Sequence, residues 1–179
     1  PGVVVPAYAV PDHINFDGKA TFYPGNYETG DRQGGHPWGK YPPLDDNFLF
    51  LAAVHEHWRL TKDLGLFRSS VRTFSGEGRL ADVCEKVYAM PPCDKATGLV
   101  TAGDIVSDNA KDWGFCDAVF KSGKLLFPSI LKLVAARQLA EMLGTAGEVG
   151  RAAGYRDEAR RIATALEHTF LHPARDGSE

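Results

Sequence analysis

Features that would assign this sequence directly to a functional class are scarce. No apolar run approaches the roughly 18–20 residues needed to cross a bilayer, and residues 1–5 lack the charged and long apolar segments of a signal peptide. The three cysteines, Cys84, Cys93 and Cys116, form no Cys-x-x-Cys pair, so neither a disulfide framework nor a zinc site is indicated. A net charge of −3 disfavours nucleic acid and anionic membranes as partners. Unpaired thiols without a visible leader favour a cytoplasmic location.

Short motifs of cofactor and nucleophile chemistry are missing as well. There is no Gly-x-Gly-x-x-Gly dinucleotide motif, no phosphate-binding loop and no Gly-x-Ser-x-Gly elbow. His55-Glu56-His57 resembles part of a metal site, but residues two apart on a helix point about 200° apart. The second histidine of a zinc-protease helix would stand four residues after His55, where the sequence has Arg59. The sequence therefore indicates neither a metal nor an organic cofactor.

What the sequence does contain is ordinary globular composition, with 44% hydrophobic and 24% charged residues. Residues 1–46 are rich in Gly and Pro and show no sustained period, which predicts a loop-rich segment. Residues 47–179 are mostly helical by hydrophobic period. The predicted helices are residues 47–60, 76–89, 125–143 and 147–170, with a long loop over 93–123.

The last two predicted helices differ in their surfaces. Residues 125–143 are apolar on most sides, whereas residues 147–170 carry one apolar stripe and one charged face. An inner helix followed by an outer one is a helical hairpin, and the fold class predicted is all-α and layered. Four helices do not easily cover the inner helix, so we expect further protein, downstream in the chain or in a partner subunit, to complete the fold.

Chemistry is most strongly suggested by carboxylates that stand among aromatic residues. Asp112 directly precedes Trp113, and Asp117 follows five residues after Asp112. An apolar wall raises the pKa of a carboxyl group and allows it to donate a proton near neutral pH. A carboxylic acid between aromatic rings is suited to protonating a glycosidic oxygen. The structural alternative is that Asp112 caps a turn and Trp113 fills the core.

A second acidic cluster, Asp45-Asp46-Asn47, opens the first predicted helix. Helix capping and the helix dipole account for one acid at this position. They do not account for two acids together with Asn47, and a contact to sugar hydroxyls is the functional hypothesis.

Two segments upstream combine glycine with aromatic residues. One contains Tyr27, and the other contains His36 and Trp38. Such segments suit a rim that approaches a ligand closely, and they suit a plain covering loop equally well.

Four segments together carry a resemblance to a known superfamily. They resemble the six-hairpin glycosidases, the α/α-toroid glycoside hydrolases that include trehalase-like, glucosidase-like and rhamnosidase-like enzymes. The resemblance covers about residues 15–171. The segments are Phe22-Tyr23-Pro24-Gly25, Tyr41-Pro42-Pro43-Leu44-Asp45-Asp46-Asn47, Asp112-Trp113-Gly114-Phe115 with Asp117, and Leu125-Leu126-Phe127-Pro128-Ser129.

The resemblance implies a fold and a chemistry. It implies a toroid of twelve helices, alternately inner and outer, of which residues 47–179 would form part, with residues 1–46 covering the mouth. It implies a carbohydrate substrate and inverting hydrolysis, with Asp112 as the general acid and Asp117 as the second candidate. The general base would come from later in a longer chain or from a second subunit, at about 6.5–9.5 Å from the acid.

Two other functions remain open at this point. An α/α-toroid polysaccharide lyase or sugar epimerase would use a histidine or tyrosine as base, and His13 and His36 are the loop histidines placed for that role. A non-catalytic helical carbohydrate-binding scaffold would instead use Asp112 and Asp117 as structural acids.

Overall fold

The computed structural model describes residues 7–18, 20–21, 43–73, 76–102 and 121–171. These residues are mostly helical, with three antiparallel two-stranded ladders. None of the described helices combines the length and hydropathy needed to cross a bilayer. The helices are α1 (Asp46–Thr61), α2 (Gly65–Arg68), α3 (Leu80–Ala89), α4 (Leu126–Thr145) and α5 (Val149–Phe170). The strands are β1 (His13–Ile14), β2 (Ala20–Thr21), β3 (Ser70–Thr73), β4 (Gly76–Arg79), β5 (Thr101–Ala102) and β6 (Gly123–Lys124).

The four helices predicted from hydrophobic period are present, and one of their boundaries was wrong. Residues 76–79, predicted as the first turn of a helix, form strand β4 and pair with β3. Gly76 has a φ of +114°, which a right-handed helix does not allow, and Gly78 is a poor helix former. The apolar stripe of α3 begins at Leu80, and the helix begins there as well.

Helices α1 and α4 run side by side in the same direction, and α3 runs against both. At one end, the Tyr88 ring near the end of α3 lies 6.1 Å from the Phe48 ring at the start of α1. The Lys132 amine in the first half of α4 lies 5.3 Å from the same tyrosine ring. Further along both helices, His55 Nε2 of α1 is 3.0 Å from Glu141 Oε2 of α4. The N-termini of α1 and α4 therefore lie at the same end of the molecule.

Helix α5 folds back on α4 and runs parallel to α3. Leu133 of α4 packs against a buried cluster that includes Ile162 and Ala165 of α5. Gly144 near the end of α4 faces Ala152 near the start of α5. Tyr155 stacks edge-on against Tyr88, with ring centroids 5.2 Å apart. The α4–α5 pair is thus the helical hairpin expected from the sequence.

An ion cluster ties the start of α5 to the start of α3. Arg151 bonds Asp82, Glu85 and Glu148, and Arg79 bonds Asp82 and Glu148. Hydrogen bonding by the two guanidinium groups lowers the pKa of Asp82 to about 2. These residues are partly exposed, so we assign the cluster to fixing the register between the helices rather than to a large gain in stability.

The two described cysteines are free thiols, as expected from their spacing. Cys84 is buried, and Cys93 is partly exposed. Burial raises the pKa of the Cys84 thiol to about 12. A thiol with such a pKa stays protonated near neutral pH, so Cys84 acts as a small core residue rather than as a nucleophile.

Candidate functional site

Three of the sequence-predicted site residues are described by the structure, and they lie at the end of the molecule where α1 and α4 begin. Asp45, Asp46 and Asn47 form the start of α1. Residues 103–120, which contain the predicted general acid, connect β5 to β6 immediately before α4. Because α1 and α4 are parallel neighbours, both predicted acidic segments are attached at the same end of the helical array.

The ends of the 103–120 segment are fixed by backbone pairing. Thr101 pairs with Lys124, and Ala102 pairs with Gly123, in an antiparallel ladder. Ala102 and Gly123, the residues on either side of this segment, therefore lie next to each other immediately before α4.

A buried serine strengthens this anchor. The Val100 N–H donates to Ser129 Oγ at 2.9 Å, and the Ser129 hydroxyl donates to the carbonyl of Leu125. The Leu125 N–H in turn donates to the carbonyl of Val100 at 2.9 Å. Val100 and Ser129 are both fully buried. Sequence reasoning used Ser129 only as part of a motif and missed that it locks the segment before β5 onto α4.

Asn47 holds three parts of the chain together. Its side-chain amide donates to the Val87 carbonyl at 2.8 Å and to the Tyr8 carbonyl at 3.1 Å. Its Oδ1 accepts from the Val10 N–H at 3.0 Å. Both amide protons are used inside the protein, and the residue is 3% exposed. These bonds give Asn47 a structural role and leave only one lone pair of Oδ1 for a ligand, so its contact to a sugar stays a prediction.

Replacing Asn47 by Ala is expected to lower the free energy of unfolding by about 2 kcal/mol, because buried carbonyls lose their donors. Urea unfolding followed by circular dichroism measures the change. The half-exposed Leu49, in the same helix, provides the control Leu49→Ala, for which we expect a loss below about 1 kcal/mol. Equal losses for the two variants would contradict the structural role of Asn47.

The two acids beside Asn47 differ in position. Asp45 is the N-cap residue of α1 and is 7% exposed, and its carbonyl accepts the N–H groups of Phe48 and Leu49. Its side chain makes no capping hydrogen bond, so side-chain capping by Asp45 is not the explanation for this acid. Asp46 lies in the first turn, where the helix dipole favours a negative charge. A role for either carboxylate in sugar binding stays a prediction.

The remaining predicted site residues lie outside the described residues. They are the acids Asp112 and Asp117 and the side chains Trp113, Tyr27, His36 and Trp38.

A buried lysine lies beside the anchor of the 103–120 segment. Lys132 is 3% exposed, and its amine donates to the Gly98 carbonyl at 3.0 Å and lies 3.7 Å from Glu158 Oε1. Gly98 has a φ of +76°, and a Cβ at this position would lie 3.0 Å from α5 side chains. The turn before β5 thus requires a glycine here and offers its carbonyl to Lys132. In the sequence, Lys132 stands out only as a polar residue of a mostly apolar helix.

Two of the histidines considered from the sequence, His13 and His55, have carboxylate partners. His55 bonds Glu141 across the α1–α4 contact, and Glu56 bonds Arg59 within α1. His13 Nδ1 is 2.6 Å from Asp12 Oδ2, and both side chains are exposed. Within the described ranges, no three histidine, cysteine or acidic side chains cluster in a way that would hold a metal ion.

Comparison of the chain with protein-family models, with curated proteins and with solved structures finds no match. Any functional assignment therefore depends on the residues themselves and on the motif resemblance.

Proposed function

We propose that this chain is part of a glycoside hydrolase of the six-hairpin α/α-toroid type. The supporting observation is that the start of α1 and the two ends of the 103–120 segment lie at the same end of the helical array. The start of α1, with Asp45 and Asp46, and the β5–β6 ladder that carries residues 103–120 both lie where α1 and α4 begin. A site assembled at one end of parallel neighbouring helices is the arrangement that the resemblance implies.

The proposed chemistry is inverting hydrolysis with Asp112 as the general acid. Its carboxyl proton passes to the glycosidic oxygen as the bond to the anomeric carbon breaks, while water attacks the opposite face of the sugar. The general base accepts a proton from that water. Trp113 and Trp38 would stack on the C–H faces of the sugar, and Asp117 is the alternative acid.

The proposed site needs a second carboxylate from elsewhere. We propose that it comes from the remainder of the toroid, in a longer chain or in a second subunit. Exposed apolar side chains on α4 are consistent with this need, since Leu126, Ile130 and Val134 are between 39% and 46% exposed. These three residues repeat at helical spacing on α4 and offer a surface for another element.

Hydrolysis of aryl glycosides by the longest natural protein that contains this chain tests the proposal. We expect release of the phenol from at least one α- or β-linked sugar of a panel. Proton NMR taken early in the reaction is expected to show the product anomer opposite to that of the substrate.

Other outcomes would contradict the proposal in distinct ways. An unsaturated sugar product that absorbs in the ultraviolet would indicate a lyase, and exchange of a ring proton with solvent would indicate an epimerase. Sugar binding by calorimetry without any turnover would indicate a carbohydrate-binding scaffold.

A further inference from the structure

The hairpin of α4 and α5 carries a groove that the proposed function does not use. The groove has a volume of about 480 Å³ and a floor of small apolar side chains, Ala140, Ala159 and Ala163. Its walls are the longer side chains Arg137 and Glu141 of α4 and Arg156 and Arg160 of α5. The groove lies between two antiparallel helices and has small alanine side chains at its base. A third helix can pack into a groove of this shape, with its side-chain ridges between those of α4 and α5.

The side chains that line the groove carry more positive than negative charge. Three guanidinium groups face one carboxylate, although the whole chain carries a net charge of −3. The carboxylate, Glu141, is bonded to His55, and Arg160 is bonded to Asp157. Neither Arg137 nor Arg156 forms an ion pair with any residue that the structure describes. As far as the described residues are concerned, these two arginines have no carboxylate partner and can pair with an external one.

We infer that this groove docks an α-helix with acidic side chains along its edges. The alanine floor admits the helix closely, and carboxylates on the docked helix would pair with Arg137 and Arg156. Charge complementarity of this kind mainly fixes register and speeds association. The inference depends on the groove alone and is independent of the proposed hydrolase function.

A second copy of the chain fits this surface poorly. A symmetric contact of two copies over the groove would place Arg137, Arg156 and Arg160 of one copy against the same three residues of the other. Juxtaposed like charges disfavour such a contact. The groove therefore favours an acidic partner over self-association.

A synthetic helical peptide with an alanine face bordered on both sides by glutamates spaced i, i+4 serves as the probe. Its matched control peptide carries lysines in place of the glutamates. Fluorescence anisotropy at low ionic strength, with the full chain, is expected to show saturable binding of the acidic peptide only. Added salt should weaken this binding, because the charges are partly exposed.

Charge-reversal variants test whether the acidic peptide binds at the groove. The double substitution Arg137→Glu and Arg156→Glu is expected to weaken binding of the acidic peptide by about tenfold or more. The control Arg68→Glu, an exposed arginine at the end of α2, should change it by less than about twofold. Circular dichroism checks that each variant is folded.

Three results would overturn the inference. They are the absence of binding by the acidic peptide, equal weakening by Arg68→Glu, and equally tight binding of the lysine peptide. Sedimentation equilibrium adds a fourth: a dimer that Arg137→Glu with Arg156→Glu abolishes would assign the groove to self-association.

Discussion

Hydrolysis of an aryl glycoside is expected to slow by about 10²–10⁴-fold when Asp112 is replaced by Asn, since loss of a general acid costs on that order. Asparagine preserves the size of the side chain but has no acidic proton. The fall in kcat should be smaller for substrates with very acidic phenol leaving groups, because these depart without protonation. The basic limb of the pH–rate profile should also disappear, since that limb reports deprotonation of the acid.

Two controls separate this catalytic role from a structural one. Asp157→Asn, on the exposed face of α5, should leave kcat unchanged. Asp117→Asn tests the alternative acid in the same assay. A loss for Asp112→Asn that is equal for all leaving groups, with the pH profile intact, would assign Asp112 a positioning role. Undiminished turnover would remove it from the proposed mechanism.

Replacement of Lys132 by Met is the change expected to affect stability most. The methionine keeps the length of the side chain but leaves the buried Gly98 carbonyl and Glu158 without the ammonium group. Removing the ammonium group while its largely buried partners remain is expected to lower the free energy of unfolding by about 3 kcal/mol. Chemical denaturation followed by circular dichroism measures this loss.

A double-mutant cycle separates the contributions of the Glu158 charge and the Gly98 carbonyl to the cost of losing Lys132. Arg161 also bonds Glu158, so the glutamate remains partly compensated when Lys132 is changed. We therefore expect Glu158→Gln to recover less than half of the loss caused by Lys132→Met. Full recovery would show that the charge of Glu158, rather than the Gly98 carbonyl, dominates the cost.

The main helices were predictable because their sequence patterns are local. Asp45 and the preceding prolines mark the start of α1, and the stripe that begins at Leu80 marks α3. The β3–β4 hairpin was not predictable in this way. Ser75-Gly76 between the paired strands is a turn signal, but the strands lack an alternating apolar pattern and the helix prediction began at Gly76.

The side chains that organise the candidate site were beyond sequence reasoning for a different reason. Asn47, Ser129 and Lys132 act on backbone groups that lie 29 to 40 residues away in the chain. Their partners become identifiable only once the parallel packing of α1 and α4 is known. From the sequence, a lysine in an apolar helix and a serine after a proline both resemble ordinary helix residues.

The β5–β6 ladder has a consequence for how this protein could be altered. Two residues on each side of the intervening stretch pair with each other, and the entropic cost of closing a longer stretch grows only slowly with its length. Under the proposed function, segments grafted between Ala102 and Gly123 would change substrate preference while the ladder holds the ends of the graft together.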